Sequence, residues 1–273
     1  MGLFGKLFGK DGTPPAPAQP DVPTLAIDIN GEPLPDPDMT RRLEQLAAVP
    51  AEQRDTSWQY DFFTALWTAA IEIPSSTPFV GLDGFAYLRF DMPSADEFVA
   101  HNLAGLTQPC LDAGSGAVLF ADARAEEPIY VIPMGMIESI LRYRDWRGDP
   151  VDIAETRGAP DAGNVRLKAG SKVMQGTPSA DYLSPEAARA LDRHLKEIWK
   201  IEQPRVSVMM SAEMQPSRSL VVNVSRDAFG SDAHADNFAR AVLWFLPPSR
   251  SIIFMPDTMA EADMIPLADL AKA

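Results

Sequence analysis

The chain has 273 residues, with 38 acidic and 24 basic side chains and a formal net charge of -14. This charge argues against general nucleic-acid binding, because phosphate backbones are bound by basic surfaces. The apolar fraction of 46% and the charged fraction of 23% are typical of a soluble globular protein, and the length suffices for one large or two medium domains.

The single cysteine, Cys110, excludes an intrachain disulfide and favours a reducing compartment. No apolar run approaches the ~20 residues that a membrane-spanning helix needs. The first ten residues do not have the features of a secretory signal, since their apolar part is short and no small-residue cleavage site follows. These observations predict a cytoplasmic protein.

Residues 1–10 (MGLFGKLFGK), here called the N-terminal head, form a miniature basic amphipathic pattern. Four apolar side chains share one side of a helical wheel: Leu3, Phe4, Leu7 and Phe8. Lys6 and Lys10 fall on the other side, as in segments that lie on anionic membranes. Three glycines each cost helix stability by about 1 kcal/mol relative to alanine. Two interpretations therefore stay open: a weak membrane-surface or partner contact, and a frayed tail.

Residues 11–38 are rich in proline and read as an extended tether. A short helix with Leu43 and Leu46 on its apolar stripe is predicted next, with Asp38 as a candidate cap. Further along the first half, hydrophobic periodicity predicts three helices and three strands. The helices are expected at 61–74, 95–103 and 134–143, with a strand at 71–73 as an alternative end of the first, and the strands at 85–90, 116–122 and 128–133.

Residues 144–164 are polar, with several glycines and prolines and charges of alternating sign, which is typical of a solvated linker. In the second half, hydrophobic periodicity predicts a strand ending at 172–174, helices at 185–200 and 231–246, and strands at 205–211, 219–225 and 251–255. The sequence thus indicates an α+β protein with two small sheet-plus-helix domains in tandem. Its expected divisions are 1–38 (head and tether), 39–145 (first domain), 146–164 (linker) and 165–273 (second domain).

The loop VMQGTPSADYLSP (173–185) is dense in turn residues and could hold a ligand or simply lead into a helix. Ser184 followed by Pro185 has the order of an N-cap and a first helical residue. Tyr182 is expected to pack its ring over the turn while its hydroxyl reaches solvent or backbone. The helix-entry interpretation is favoured.

Segments in both halves resemble the SseB (enhanced serine sensitivity) family. In the first half these are VLFADA (118–123) and VIPMGMIESIL (131–141), which are similar to parts of the N-terminal SseB domain. In the second half, the stretch 172–200 and the strands VSVMMSA and SLVVNVS are similar to the C-terminal SseB domain. The resemblance covers roughly residues 55–260. It implies a bacterial protein that is not tied to a defined reaction, and it assigns no catalytic residues.

No motif for catalysis, a cofactor or a metal emerges from the remaining polar residues. Asp232, His234 and Asp236 alternate, but their position before a helix favours capping over metal binding. Ser115 lies in a Gly-Ser-Gly turn that enters a strand, whereas a nucleophile elbow leaves one. His194 is expected at the edge of a core or at the surface. Cys110 is interpreted as a small, partly buried residue.

The sequence therefore favours a non-catalytic protein-interaction or regulatory protein, with an unidentified protein partner and no cofactor. Two alternatives are carried forward. One is an enzyme with an unrecognised carboxylate-based site, perhaps around Asp122 or Asp232. The other is a peripheral membrane-associated adaptor that acts through residues 1–10.

Overall fold

A computed structural model describes residues 33–94, 98–156 and 172–272, and its two mixed sheets with flanking helices confirm the predicted α+β fold. The helices of the first half are α1 (Pro37–Ala47), α2 (Thr56–Thr68), α3 (Leu103–Ala113), α4 (Met134–Tyr143) and α5 (Pro150–Thr156). Its strands are β1 (Phe79–Val80), β2 (Ala86–Asp91), β3 (Gly116–Phe120) and β4 (Tyr130–Ile132).

The second half has helices α6 (Pro185–Glu197), α7 (Asp232–Leu243) and α8 (Leu267–Leu270). Its strands are β5 (Met174–Gly176), β6 (Arg205–Met210), β7 (Arg218–Val222), β8 (Ile252–Phe254) and β9 (Ile265–Pro266). None of the described helices has the length and apolar character that crossing a bilayer requires.

The first sheet has the strand order β1-β2-β3-β4. Strands β2 and β3 run parallel, with Tyr87 opposite Gly116, and α3 provides the crossover between them. The outer pairs are antiparallel, with Phe79 opposite Tyr87 and Val118 opposite Val131. Strand β1 therefore lies at one edge of this sheet.

The second sheet has the order β5-β6-β7-β8, and β9 also pairs with β6. Its only parallel pair among the described strands is β7 with β8, joined through α7. From α2 to α4 in the first half and from α6 to α8 in the second, the described helices and strands follow one order: helix, two strands, helix, two strands, helix. In both, the two strands after the first helix are antiparallel and the third joins them in parallel.

A single hydrophobic cluster extends through both halves, from Leu43 on α1 to Leu267 on α8. A smaller, methionine-rich cluster contains Val221 and Met264. Leu220 and Val222 belong to the large cluster while Val221 belongs to the small one, as expected for a strand whose side chains alternate between faces. The second sheet thus buries both faces, and its inner face joins the core of the first half.

Side-chain caps fix the starts of several helices. Ser184 accepts a hydrogen bond from the Ala187 amide at the start of α6, and Ser231 accepts one from the His234 amide at the start of α7. Both confirm the sequence predictions. The predicted cap Asp38 is wrong, because Asp36 caps α1 and Asp38 lies in its first turn.

The predicted helix at 95–103 is wrong in its residues 98–102, which are not helical, while residues 95–97 lie outside the described part. The helix begins at Leu103 instead, capped by the Asn102 side chain, and Gly114 ends it in the left-handed region with φ 65°. Pro109 lies inside this helix. The proline and the glycine Gly105 obscure its pattern in the sequence.

The expectation that residues 144–164 form a solvated linker is wrong for its described part. Residues 150–156 form helix α5, and the side chain of Asp152 is buried. The reason is a set of ion pairs to the second half, described below. Residues 157–171 lie outside the described part, and the domain boundaries stay a prediction.

Candidate interaction surface

A buried polar cluster joins the two halves. The guanidinium group of Arg250, just before β8, pairs with the carboxylate of Asp152 on α5, and both side chains are 1% exposed. Asp152 also accepts a hydrogen bond from Arg218 on β7 at 2.8 Å. Asp149 lies 3.3 Å from Arg250 and 3.5 Å from Arg218. Two arginines and two aspartates thus balance their charges, as buried ion pairs must.

Tyr182, from the turn-rich loop before α6, completes this cluster. The Arg250 guanidinium lies 4.3 Å from the centre of its ring, a cation–π contact. The side chain is buried, and no described residue hydrogen-bonds its hydroxyl, so the prediction that the hydroxyl reaches solvent or backbone is wrong. Burial raises the pKa of Tyr182. The loop therefore supplies the Tyr182 ring, which contacts the guanidinium groups of Arg250 and Arg218, and the Ser184 side chain that caps α6.

Two other buried carboxylates each face an arginine. Glu138 on α4 lies 2.9 Å from Arg142, and Asp91 at the end of β2 lies 2.8 Å from Arg89. Burial raises the pKa of Glu138 and of Asp91, against the opposing effect of the arginine in each case. Each carboxylate thus has its own partner, which is the arrangement of a structural ion pair.

Asp232 and Asp236 both pair with Arg226, at 3.0 and 2.9 Å. Their hydrogen bonds raise the pKa of Arg226, with Asp236 the larger contributor. The Asp122 carboxylate accepts a hydrogen bond from the backbone amide of Arg124 within an exposed turn. Among the residues described, no three or more of His, Cys, Asp and Glu are grouped so as to hold a metal ion.

The prediction that Ser115 lies in a turn before a strand is confirmed, whereas Cys110, predicted to be partly buried, is more deeply buried than expected. Cys110 is fully buried in α3, and burial raises the pKa of its thiol to about 12. Ser115 lies in the turn between α3 and β3, and its hydroxyl donates to the Cys110 carbonyl oxygen at 3.3 Å. The head residues Leu3, Phe4, Leu7 and Phe8 lie outside the described part of the chain.

An exposed apolar surface surrounds the edge strand of the first sheet. We call it the β1 surface and define it as Phe79, Val80, Leu82 and Ile198. Val80 is 72% exposed and Leu82 is fully exposed. Ile198, at the end of α6, lies beside Gly84, so the surface combines residues of both halves. Val80 and Ile198 line the same groove, and exposed apolar side chains grouped in this way are typical of binding sites.

A groove of about 390 Å³ runs along this surface. Its apolar lining includes Val80, Phe85 and Ile198, and its polar lining includes Arg193 and Glu197. We call it the β1 groove. It lies where the first sheet meets helix α6, and ligand sites occur preferentially at such junctions. No described strand pairs with the outer edge of β1.

His194 lies in the wall of the groove and is 6% exposed. The position at the edge of the core confirms the sequence prediction. Its ring stacks on Phe85 at 4.7 Å, and Phe85 stacks in turn on Trp244 at 4.4 Å. Burial lowers the pKa of His194 to about 4, so the imidazole is neutral at pH 7. No described residue hydrogen-bonds its Nε2 atom.

The β1 surface was not predicted from the sequence. The segment Pro78-Phe-Val-Gly-Leu82 does carry a signal, since three large apolar residues stand within a stretch of turn residues. A strand of two residues is too short for the periodicity that predicts strands. Ile198 reaches the same surface only through the packing of α6 on the first half.

Searches with protein-family models, curated proteins and solved structures found no significant match to this chain. The SseB resemblance therefore stays a prediction.

Proposed function

We propose that the protein is a non-catalytic interaction or regulatory protein of the bacterial SseB type, and that it binds a protein partner through the β1 surface. The observation that carries this proposal is that Val80 and Ile198, exposed apolar residues from the two halves, line one groove, with Phe79 and Leu82 also exposed beside Val80 in the chain. Burying apolar surface contributes a favourable free energy of roughly 25 cal/mol per Å². Apolar side chains that are exposed to water therefore favour association with a partner that covers them.

The polar groups support binding more than catalysis. The buried carboxylates Asp91, Glu138 and Asp152 each pair with an arginine. General acid–base work needs carboxyl groups that converge on a substrate pocket. The described lining of the β1 groove contains one carboxylate, Glu197, and one imidazole, His194, within a mainly apolar wall. We place the protein in the cytoplasm, because its single cysteine is a free thiol.

The test compares three forms of the full chain used as bait: wild type, Val80→Asp with Leu82→Asp, and Val99→Asp. Val99 is 74% exposed, matching Val80, but lies away from the groove lining. Proteins captured from the native host by the wild type and by Val99→Asp, but not by the double variant, are partner candidates. Each is then purified and titrated against the three forms by calorimetry.

A partner that binds wild type and Val99→Asp at least ~10-fold more tightly than the double variant supports the proposal, since each aspartate would be buried without a partner charge. Equal affinity for all three forms contradicts it. We expect the variants to fold, because all three changes lie at exposed positions, and circular dichroism checks this.

The membrane-adaptor alternative has a separate test. Full-length protein and a chain without residues 1–10 are sedimented with vesicles that contain anionic lipid. Pelleting of the full chain alone favours the adaptor, and equal behaviour of the two contradicts it. The enzyme alternative depends on carboxylates around Asp122 or Asp232, which are exposed and do not line the β1 groove.

A further inference from the structure

The outer face of the second sheet is covered by methionine side chains. The smaller of the two hydrophobic clusters lies there, and we call it the methionine cluster. Apart from one valine and one isoleucine, its described members are all methionines: Met209, Met214, Val221, Ile253, Met255, Met259 and Met264. The whole chain has 12 methionines, so a large share of them lies at this face. Thioether side chains fill irregular apolar gaps, and they are also open to oxidation.

Two of these methionines are accessible from solvent. Met255 and Met259 are partly exposed, whereas Met209 is 7% exposed and Met214 and Met264 are each 3% exposed. A small reagent in solution therefore meets Met255 and Met259 before it meets the buried members of the cluster.

Both accessible methionines lie in the segment that connects β8 to β9. We call this segment, residues 255–264, the cover. Its first amide, that of Met255, donates to the Val224 carbonyl oxygen at 3.0 Å. Its last carbonyl oxygen, that of Met264, accepts a hydrogen bond from the Arg205 side chain at 2.9 Å. Hydrogen bonds to the rest of the chain therefore hold both ends of the cover.

The middle of the cover is attached differently. Among the described residues, the hydrogen bonds of residues 256–260 stay within the cover. Asp257, Thr258 and Ala260 are exposed, and Met259 packs against the methionine cluster. The middle is therefore held on the sheet by apolar contacts to which Met259 contributes. Such contacts depend on the side chain remaining apolar.

Hydrogen peroxide converts a thioether to a sulfoxide. A sulfur lone pair attacks one peroxide oxygen, the O–O bond breaks, and the released hydroxide takes the proton of the new S–OH group to give water. Sulfur is oxidised by two electrons, and the peroxide is reduced to water. The sulfoxide is polar, and its oxygen accepts hydrogen bonds. Because a polar group without a partner is unfavourable in an apolar cluster, oxidation weakens the contact between the cover and the sheet.

We propose that Met255 and Met259 form a reversible oxidation site, at which conversion of both thioethers to sulfoxides releases the middle of the cover from the second sheet. Methionine sulfoxide reductases reverse the step. This site adds an oxidation-dependent conformational change to the proposed function. Neither methionine lines the β1 groove, so the failure of one proposal leaves the other unaffected.

Hydrogen–deuterium exchange of the full chain measures the release. Native wild type is treated with hydrogen peroxide, and mass spectrometry of its peptides identifies the oxidised methionines. We expect Met255 and Met259 to be oxidised before the buried members, and the amides of the cover then to exchange about tenfold faster. Methionine sulfoxide reductases should restore slow exchange. Native protein that keeps both thioethers, or that oxidises them with unchanged exchange, overturns the proposal.

Two leucine variants separate this site from other methionines. Met255→Leu/Met259→Leu keeps the apolar volume without the sulfur, so exchange of its cover should not change on peroxide treatment. Met174→Leu removes a methionine that is 64% exposed and lies outside the cluster, and this variant should respond like wild type. Equal acceleration in Met255→Leu/Met259→Leu and wild type overturns the proposal.

A glutamine variant tests the effect of polarity without an oxidant. Met255→Gln/Met259→Gln places polar groups at both positions, and its cover, without peroxide, should exchange as fast as that of oxidised wild type. The amides of β7 should stay protected, which shows that the sheet remains folded. Exchange of the cover as slow as in untreated wild type contradicts the proposed release.

Discussion

Arg250 and Asp152 are 98 residues apart in the chain and form an ion pair in which both side chains are 1% exposed. Asp152 belongs to a helix in the segment between the two sheets, and Arg250 precedes the last parallel strand of the second sheet. The pair therefore ties that segment to the second half. Gly135 of α4 adds a backbone link, since its amide donates to the Trp244 carbonyl oxygen at 3.0 Å.

Replacing Asp152 by alanine should destabilise the protein strongly. The change leaves the buried Arg250 charge with Asp149 as its remaining carboxylate partner among the described residues, and breaking a buried pair costs about 3–5 kcal/mol. Urea denaturation, followed by tryptophan fluorescence, measures the free energy of unfolding. The control is Asp232→Ala, whose ion pair with Arg226 is exposed and should cost less than about 1 kcal/mol. Similar losses for both variants would contradict the prediction.

The stability of the protein should fall between about pH 6.5 and pH 4 because of His194. Its folded pKa of about 4 lies below the unfolded value of 6.5, so the stability it contributes is present above pH 6.5 and is lost as pH falls through the folded pKa. The shift corresponds to at most about 3 kcal/mol. Unfolding free energies of wild type and His194→Gln, measured across this range, check the prediction.

In that experiment His194→Gln should lose less stability than wild type as the pH falls, because a neutral amide replaces the titrating imidazole. His234→Gln is the matched control, since His234 is exposed at the start of α7. It should keep the wild-type pH dependence. The prediction is wrong if His194→Gln and wild type change in parallel between pH 6.5 and 4.

Replacing Gly135 by alanine should weaken the contact between the halves. A Cβ atom at Gly135 would overlap the backbone of Leu246, which cannot move away as a flexible side chain could. Overpacking of this kind costs about 1–3 kcal/mol. At the control position, Gly176, the nearest atom to such a Cβ is the Met210 methyl carbon at 3.7 Å. Thermal unfolding should show a lower Tm for Gly135→Ala and little change for Gly176→Ala.

The thiol of Cys110 should not react with alkylating reagents in the native protein. The side chain is fully buried, and its pKa of about 12 leaves almost no thiolate at pH 8. Iodoacetamide labelling, read by mass spectrometry, should therefore be absent in buffer without urea. It should be complete in 6 M urea, or at any urea concentration above the unfolding midpoint of the protein. Rapid labelling of the native protein would show that α3 opens locally.

Several elements followed from local sequence. The apolar run at 116–120 became the buried strand β3, and Ser184 with Pro185 started α6 as expected. These features depend on neighbours in the chain: periodicity, caps and turn residues. The N-terminal head was also read from local pattern, and its contact with a membrane or partner stays a prediction. Helix α3 failed as a prediction because Pro109 and Gly105 oppose a helix that tertiary packing nevertheless stabilises.

The sequence by itself determined the α+β class, the caps of α6 and α7 and most of the strands, because these depend on interactions within a few residues. Only the tertiary structure decided that Asp152 is buried against Arg250, that Tyr182 lies beneath that guanidinium, and that Ile198 joins Val80 beside one groove. Each of these contacts joins residues far apart in the chain. Ion pairing and apolar packing at such separations depend on how the two halves meet, which no local pattern encodes.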